Sequence, residues 1–121
     1  MKIKVLKQEF SVCKVRGFMP DIFKGEFWFA AQTDEEISLV CQSEFAPTDA
    51  LDVSSGWRAM RIEGILDFSL VGILANISDV LARAQVGIFA VSTYNTDYIL
   101  VKKADLSRAV SALRDAGHAI E

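Results

Sequence analysis

Gly64-Ile65-Leu66-Asp67-Phe68-Ser69, continued as far as Val101, is the stretch on which the reading of this chain turns. It divides into a sharp loop, a helix from Leu70 to Ala84, a strand from Gly87 to Ser92, a polar loop Thr93-Tyr94-Asn95-Thr96-Asp97, and a second strand from Tyr98 to Val101. The helix is implied by apolar residues at 70, 73, 74, 77, 81 and 84, the spacing that lines one face of a 3.6-residue repeat. Asp67 or Ser69 is suited to cap its start by accepting a backbone N–H bond, and Gly87 lies just past its end, where a left-handed residue is needed. Ile88-Phe89-Ala90-Val91 and Tyr98-Ile99-Leu100-Val101 are short apolar runs rich in β-branched and aromatic residues, joined by polar residues, which predicts an antiparallel hairpin.

Outward from this centre, Trp57 to Glu63 reads as the strand entering the loop. After Lys102-Lys103, Asp105 can cap a second helix with an apolar stripe at 106, 109, 110 and 113, which Gly117 ends; His118-Ala119-Ile120 supplies a last edge strand. The order is strand, helix, strand, strand, helix, strand: the βαββαβ unit in which helices cover one face of an antiparallel sheet. The first half repeats this outline weakly. Its strands are a half-buried one within residues 2–15, Phe27-Trp28-Phe29-Ala30-Ala31 and Ile37-Ser38-Leu39-Val40-Cys41. Arg16 to Gly25, interrupted by Gly17 and Pro20, reads as a loop with one helical turn around Asp21 to Lys24. Phe45 to Gly56 reads as a linker or short helix between a first unit, 1–55, and a second, 56–121. No residue-by-residue repeat connects the two.

Composition narrows the function. An apolar fraction of 51% supports a substantial core and an oligomeric interface. A net charge of -3 argues against a nucleic-acid surface, and no apolar run approaches bilayer length, so a cytoplasmic protein without a membrane partner is expected. The acidic excess sits in residues 1–55, with six basic and nine acidic side chains against seven of each in the rest. Cys13 and Cys41 lack metal-ligand spacing and read as buried reduced thiols. With no nucleophile and base pair in sight, neither catalysis nor a metal or cofactor is expected.

Trp57, the run Glu63 to Leu70 with Gly72-Ile73-Leu74, the run Ser92 to Val101 and the first-half element Thr33 to Cys41 resemble a group of short bacterial tandem ACT-domain proteins. That group is similar in turn to the CASTOR-type arginine sensors. The resemblance implies an α+β fold of two ferredoxin-like ACT units packed together, a regulatory role without catalysis, a homodimer, a free amino acid bound at an interface between units, and room for a protein partner. A free amino acid carries a carboxylate and an ammonium on one carbon, so its binder must present anion-stabilising donors close to an acid. Backbone N–H groups around Phe68, Ser69 and Leu70 at the helix start can supply the donors, and Asp97 or Asp67 can face the ammonium. Thr93, Asn95 and Thr96 add neutral hydrogen bonds, and exposed backbone of Ser38-Leu39-Val40 would complete the site.

Each of these residues has a plainer reading. Asp67 and Ser69 make ordinary helix caps, Asn95 and Asp97 ordinary turn residues, and Asp34-Glu35-Glu36 a solvated turn. Trp28, Trp57, Phe10, Phe27 and Phe29 read as core or interface anchors before they read as pocket, and His118 as a surface or edge-strand residue. An alternative to the sensor is a structural protein whose sheets mediate assembly without a ligand.

Overall fold

Alternating side chains explain the first strand only in part. The computed structural model describes residues 1–64 and 71–121, and in it β1 runs over Lys2–Lys14. Ile3 and Cys13 point to one side of this strand and Leu6 and Phe10 to the other, yet all four are at most 4% exposed. Buried residues therefore occur on both faces of the strand expected to be half-buried.

Contacts divide the chain into two compact units, one of Met1–Lys7 with Arg58–Glu121 and one of Gln8–Trp57. The consecutive halves 1–55 and 56–121 are not these units, because the first seven residues belong with the second half. The expected boundary also falls inside a strand: β4 spans Asp52–Ile62, with Gly56 in it at φ 77. Ser54-Ser55-Gly56 has the composition of a linker, but paired backbone overrides local turn preference.

In the unit of Met1–Lys7 and Arg58–Glu121, the end of β4 leads to α1 (Ile73–Arg83), β5 (Ile88–Ser92), β6 (Asp97–Lys102), α2 (Leu106–Asp115) and β7 (Ala119–Ile120). Strands are arranged in the order β7-β1-β4-β6-β5. A simple βαββαβ unit would place its own last strand beside its first. Here the start of β1 takes that place, with Glu63 N–H donating to the Lys2 carbonyl at 2.8 Å, and β7 pairs parallel to β1 on its outer side. Lys2 and Glu121 add a 2.8 Å ion pair between exposed side chains. The core joins Ile3, Met60, Ile62, Ile99 and Val101 to the buried helix residues Ile77, Leu81, Ala109 and Leu113. Those four lie on the stripes the helical spacing predicts.

Both helices end in the same hydrogen-bond pattern. After α2, His118 N–H donates to the Leu113 carbonyl and Gly117 N–H to that of Arg114, with Gly117 left-handed at φ 96. After α1, Val86 N–H donates to Leu81 and Gln85 N–H to Ala82, so the left-handed residue is Gln85 at φ 60 and not the nearby Gly87. Arg108 holds this turn from α2, donating to the carbonyls of Ala84 and Gln85 at 3.0 and 3.1 Å. A cation at a helix C-terminus opposes the dipole there. Arg108 also bonds Asp105 Oδ1, and Asp105, although the N-cap of α2, makes no side-chain capping bond.

The unit Gln8–Trp57 contains the rest of β1, β2 (Trp28–Gln32), β3 (Ile37–Gln42), the start of β4, and two 3₁₀ turns at Pro20–Ile22 and Ser43–Phe45. Its strand order is β2-β3-β1-β4, and Leu51 N–H donates to the Lys14 carbonyl at 2.8 Å. Its core gathers Cys13, Val15, Ile22, Leu39 and Cys41. Phe10 is fully buried and meets Phe27 edge-on at 6.1 Å, as core aromatics should. Trp28 is instead 43% exposed, stacked on Phe23 at 4.4 Å, and Trp57 donates its indole N–H to Ser54 at the surface.

A repeat that composition hides is plain in the strand register. The β2–β3 pairs run from Trp28↔Cys41 to Gln32↔Ile37, and the β5–β6 pairs from Ile88↔Val101 to Ser92↔Asp97, each number raised by 60. Both second strands run straight into a 3₁₀ turn, Ser43–Phe45 or Lys103–Asp105.

Gln85→Gly should raise stability by about 0.5–1 kcal/mol, because an L-residue in the left-handed region costs about 1–2 kcal/mol and glycine returns part of that as chain entropy. Urea denaturation reads this directly, and a loss of stability would show that the Gln85 side chain does more than adopt the turn. A second expectation concerns His118. Its Nδ1 lies 3.3 Å from the Met1 ammonium and its Nε2 2.9 Å from Asn76 Oδ1, an arrangement that suits the neutral ring with the proton on Nε2. Burial and the Met1 charge hold its pKa below the usual 6.5, against a smaller opposing backbone bond. The neutral form is favoured on folding, so this contribution is present above pH 6.5 and is lost as pH falls through the lowered value. Thermal melts across pH 5–8 should show the Tm difference between wild type and His118→Gln shrinking toward acid; a constant difference would remove the linkage.

Candidate functional site

The turn between β5 and β6 owes its shape to threonine hydroxyls. Thr93 Oγ1 donates to the Thr96 carbonyl at 2.9 Å, and Thr93 N–H donates to the same oxygen at 2.9 Å. Thr96 N–H returns a longer bond to Thr93 Oγ1. The equivalent turn in the other unit uses Thr33 in the same way, its Oγ1 accepting from Glu35 and Glu36 N–H at 3.1 and 3.2 Å. Asp34, Glu35 and Glu36 are exposed, as a solvated turn requires.

Among the expected site residues of this turn, Thr96 has the strongest structural duty. It is 6% exposed, and its hydroxyl donates to the Ile62 carbonyl at 2.6 Å. That bond sets the turn beside the end of β4, where Gly64, at φ 98, starts the chain toward residues 65–70. Asp97 is half-buried and accepts a 2.6 Å bond from Ser92 Oγ, which leaves its second carboxylate oxygen for other partners. Thr93 and Asn95 are exposed. The structure thus brings Thr93, Asn95, Thr96 and Asp97 together and adds Ser92 and Ile62. Nothing in the local pattern marks Ile62, because its role is a backbone carbonyl supplied from 34 residues away.

Asp67, Phe68, Ser69 and Leu70 lie outside the described residues. The helix they were expected to open is described from Ile73, and its N-cap is Gly72 at φ 86 with no side-chain capping bond. The first backbone N–H groups of α1 belong to Ile73, Leu74 and Ala75, three residues or more beyond the position expected, while Asn76 N–H already bonds the Gly72 carbonyl.

Ser38, Leu39 and Val40 do not offer exposed backbone. Leu39 pairs with Ala30 on one side and Cys13 on the other, Val40 with Phe29 and Val12, and Ser38 with Ala31 and Lys14. Leu39 and Val40 are buried, and Ser38 Oγ donates to Glu36 Oε1 at 2.7 Å. An interior strand has both edges committed to its ladder, so the role expected of this segment is withdrawn.

Cys13 and Cys41 are buried free thiols. Burial raises both pKa values and, with the neighbouring Cys13, pushes Cys41 up to about 12, so the thiolate needed for nucleophilic chemistry is disfavoured. His118 is occupied by Met1 and Asn76. Among the described residues, no group of three or more His, Cys, Asp or Glu side chains is placed to hold a metal ion, and no helix is long and apolar enough to cross a membrane.

Residues 52–115 match the model of the ACT domain. The curated relatives are proteins named "Cytosolic arginine sensor for mTORC1 subunit 1": the one from Rattus norvegicus is 36% identical over 85 residues, and the human one 35%. Each alignment covers 64% of this chain and only 26% of the relative, so the chain spans about a quarter of their length. Among solved structures, protein Atu0741 from Agrobacterium tumefaciens superposes with a TM-score of 0.90 at 29% identity, covering 99% of this chain and 91% of that one. The regulatory subunit of aspartate kinase from Thermus thermophilus, at 9% identity, shares the fold with a TM-score of 0.65, covering 95% and 96%. With the family model spanning more than half of its residues, and the fold matched across nearly all of them, the chain belongs to the ACT-domain family.

Proposed function

We propose that this protein is a non-catalytic regulatory module of the bacterial tandem ACT type, which binds a free amino acid at an interface between ACT units and works as a cytoplasmic homodimer. The observation that carries this reading is the 36% identity, over 85 residues, to a protein named for sensing arginine. The register shared by the two hairpins supports the tandem arrangement. Asp97 is the acid for the ligand's ammonium, steadied by Ser92 and presented on a turn that Thr96 holds against β4. Thr93 and Asn95 flank it. Asp67, Phe68, Ser69 and Leu70, with the first N–H groups of α1 beyond them, serve the carboxylate, since a helix start stabilises an anion without a basic side chain.

A second reading is favoured by two exposed apolar side chains close to the same segment, Val71 at 90% and Tyr94 at 79%. Contiguous exposed apolar surface is where other proteins bind, and on this reading Val71 and Tyr94 belong to such a surface, so the module serves assembly with itself or with a protein partner.

A thermal-shift panel of the common free amino acids separates the two. The sensor reading expects one of them to raise the Tm, by about 2.7 kcal/mol of added stability at a hundredfold excess over Kd. Asp97→Ala should lose that response while its own melt stays cooperative. Silence across the panel, together with a Tm that rises with protein concentration alone, would leave assembly as the function.

A further inference from the structure

The same hairpin is covered in two different ways in this chain. In the unit of Met1–Lys7 and Arg58–Glu121, Ile99 and Val101 of β6 are covered by helix side chains, with Ile77, Leu81, Ala109 and Leu113 in one buried cluster with them. Leu39 and Cys41 of β3 hold the corresponding positions in the Gln8–Trp57 unit, 60 residues earlier. That unit has no α-helix. Its cover is irregular chain, which contributes Phe18, Ile22, Phe23, Ala46 and Ala50. Two loops fill less space than two helices, and a cavity of about 620 Å³ remains between residues 15–24 and 44–49. This volume is in the range of ligand pockets, about 300–1,000 Å³.

The lining has a chemistry of its own. Val15, Ile22 and Phe45 give it an apolar part. Arg16, Lys24 and Asp21 line it from one segment, and Glu44 and Asp49 from the other. Among the described residues, no ion pair joins any of these five side chains, so charges of both signs border one cavity without a direct salt bridge between them. The wall is also held in place. Gln42, 7% exposed, accepts from the N–H groups of Glu26 and Phe27 at 2.8 and 3.2 Å and donates through Nε2 to Glu44 Oε1 at 3.1 Å. Gly25, at φ +85, packs so closely that a Cβ there would lie 2.5 Å from Gln42 Oε1 and 2.9 Å from Phe45 Cε2. One buried amide thus fixes both the exit of the first loop and the acid at the start of the second. A pocket organised before binding spares the ligand the cost of ordering it.

We propose that this cavity is a separate site for a small zwitterion, with the anionic group toward Arg16 and Lys24 and the cationic group toward Glu44 and Asp49. It uses neither Asp97 nor the start of α1, and it stands whether or not those residues bind anything.

The test is amide-resolved NMR of the full chain, titrated with the common free amino acids one at a time and with the N-acetyl and carboxamide derivatives of any that bind. The amides of Arg16, Gly17, Phe45 and Ala46 should shift with a zwitterion, and removing either ligand charge should weaken the effect at least tenfold. Glu44→Gln with Asp49→Asn should weaken it by a similar factor; Glu44→Gln keeps an oxygen for Gln42, and the unchanged remainder of the spectrum verifies the fold. Absence of shifts at these four amides with every compound, or undiminished binding by the double variant, would overturn the proposal. Responses at residues 93–97 are resolved separately, so the fate of the Asp97 site is read from the same spectra.

Discussion

Antiparallel pairing of β1 with β4 is the constraint on which the rest depends. Within one unit Glu63 bonds Lys2, and within the other Leu51 bonds Lys14. A slip of one residue would turn Ile3, Cys13, Met60 and Ile62 out of their clusters, because side chains alternate along a strand. The same pairing explains why the first seven residues belong with the second half of the chain. β6 flanks β4 on one side, and on the other the amino-terminal residues of β1 stand between β4 and β7, which is only two residues long.

Around these strands the protein uses one hairpin design twice and finishes it differently each time. Threonine hydroxyls close both turns, and both second strands lead into a 3₁₀ turn. Beyond that turn, β6 continues into a ten-residue amphipathic helix, whereas β3 continues into a short loop held by Gln42. Helices bury a continuous apolar stripe and leave a dry core. Loops carry backbone polar groups and charged side chains to the same place, so they leave a space with polar walls. The irregular cover is why side chains of both signs border the cavity of the Gln8–Trp57 unit.

Much of this was legible in the chain itself. Periodicity located α1, α2 and both hairpins, because those patterns are local and the physics that produces them is local too. The runs around Glu63 and Ser92 resembled the ACT family, and the family match over residues 52–115 bears out the α+β ACT fold among the things they implied. Thr93, Asn95 and Thr96 lie in the one polar turn expected of them and Asp97 opens the strand after it, although the burial of the Thr96 hydroxyl against Ile62 left no local mark. Gln85 in place of Gly87 was missed for a related reason: the helix ends at Arg83, so the left-handed position falls at Gln85, two residues before the glycine.

Sequence alone determined both helices, both hairpins and which face of each helix is buried, since these depend on residues within a few positions of one another, although it read the start of β4 as a linker. Only the tertiary structure decided which strand lies beside which. That choice made β3 an interior strand and withdrew Ser38, Leu39 and Val40 from the site, moved Met1–Lys7 into the second unit, and opened the cavity beside Gln42. Hydrogen-bond partners tens of residues apart are selected by the pairing of strands distant in sequence, and no periodic pattern within a single segment carries that information.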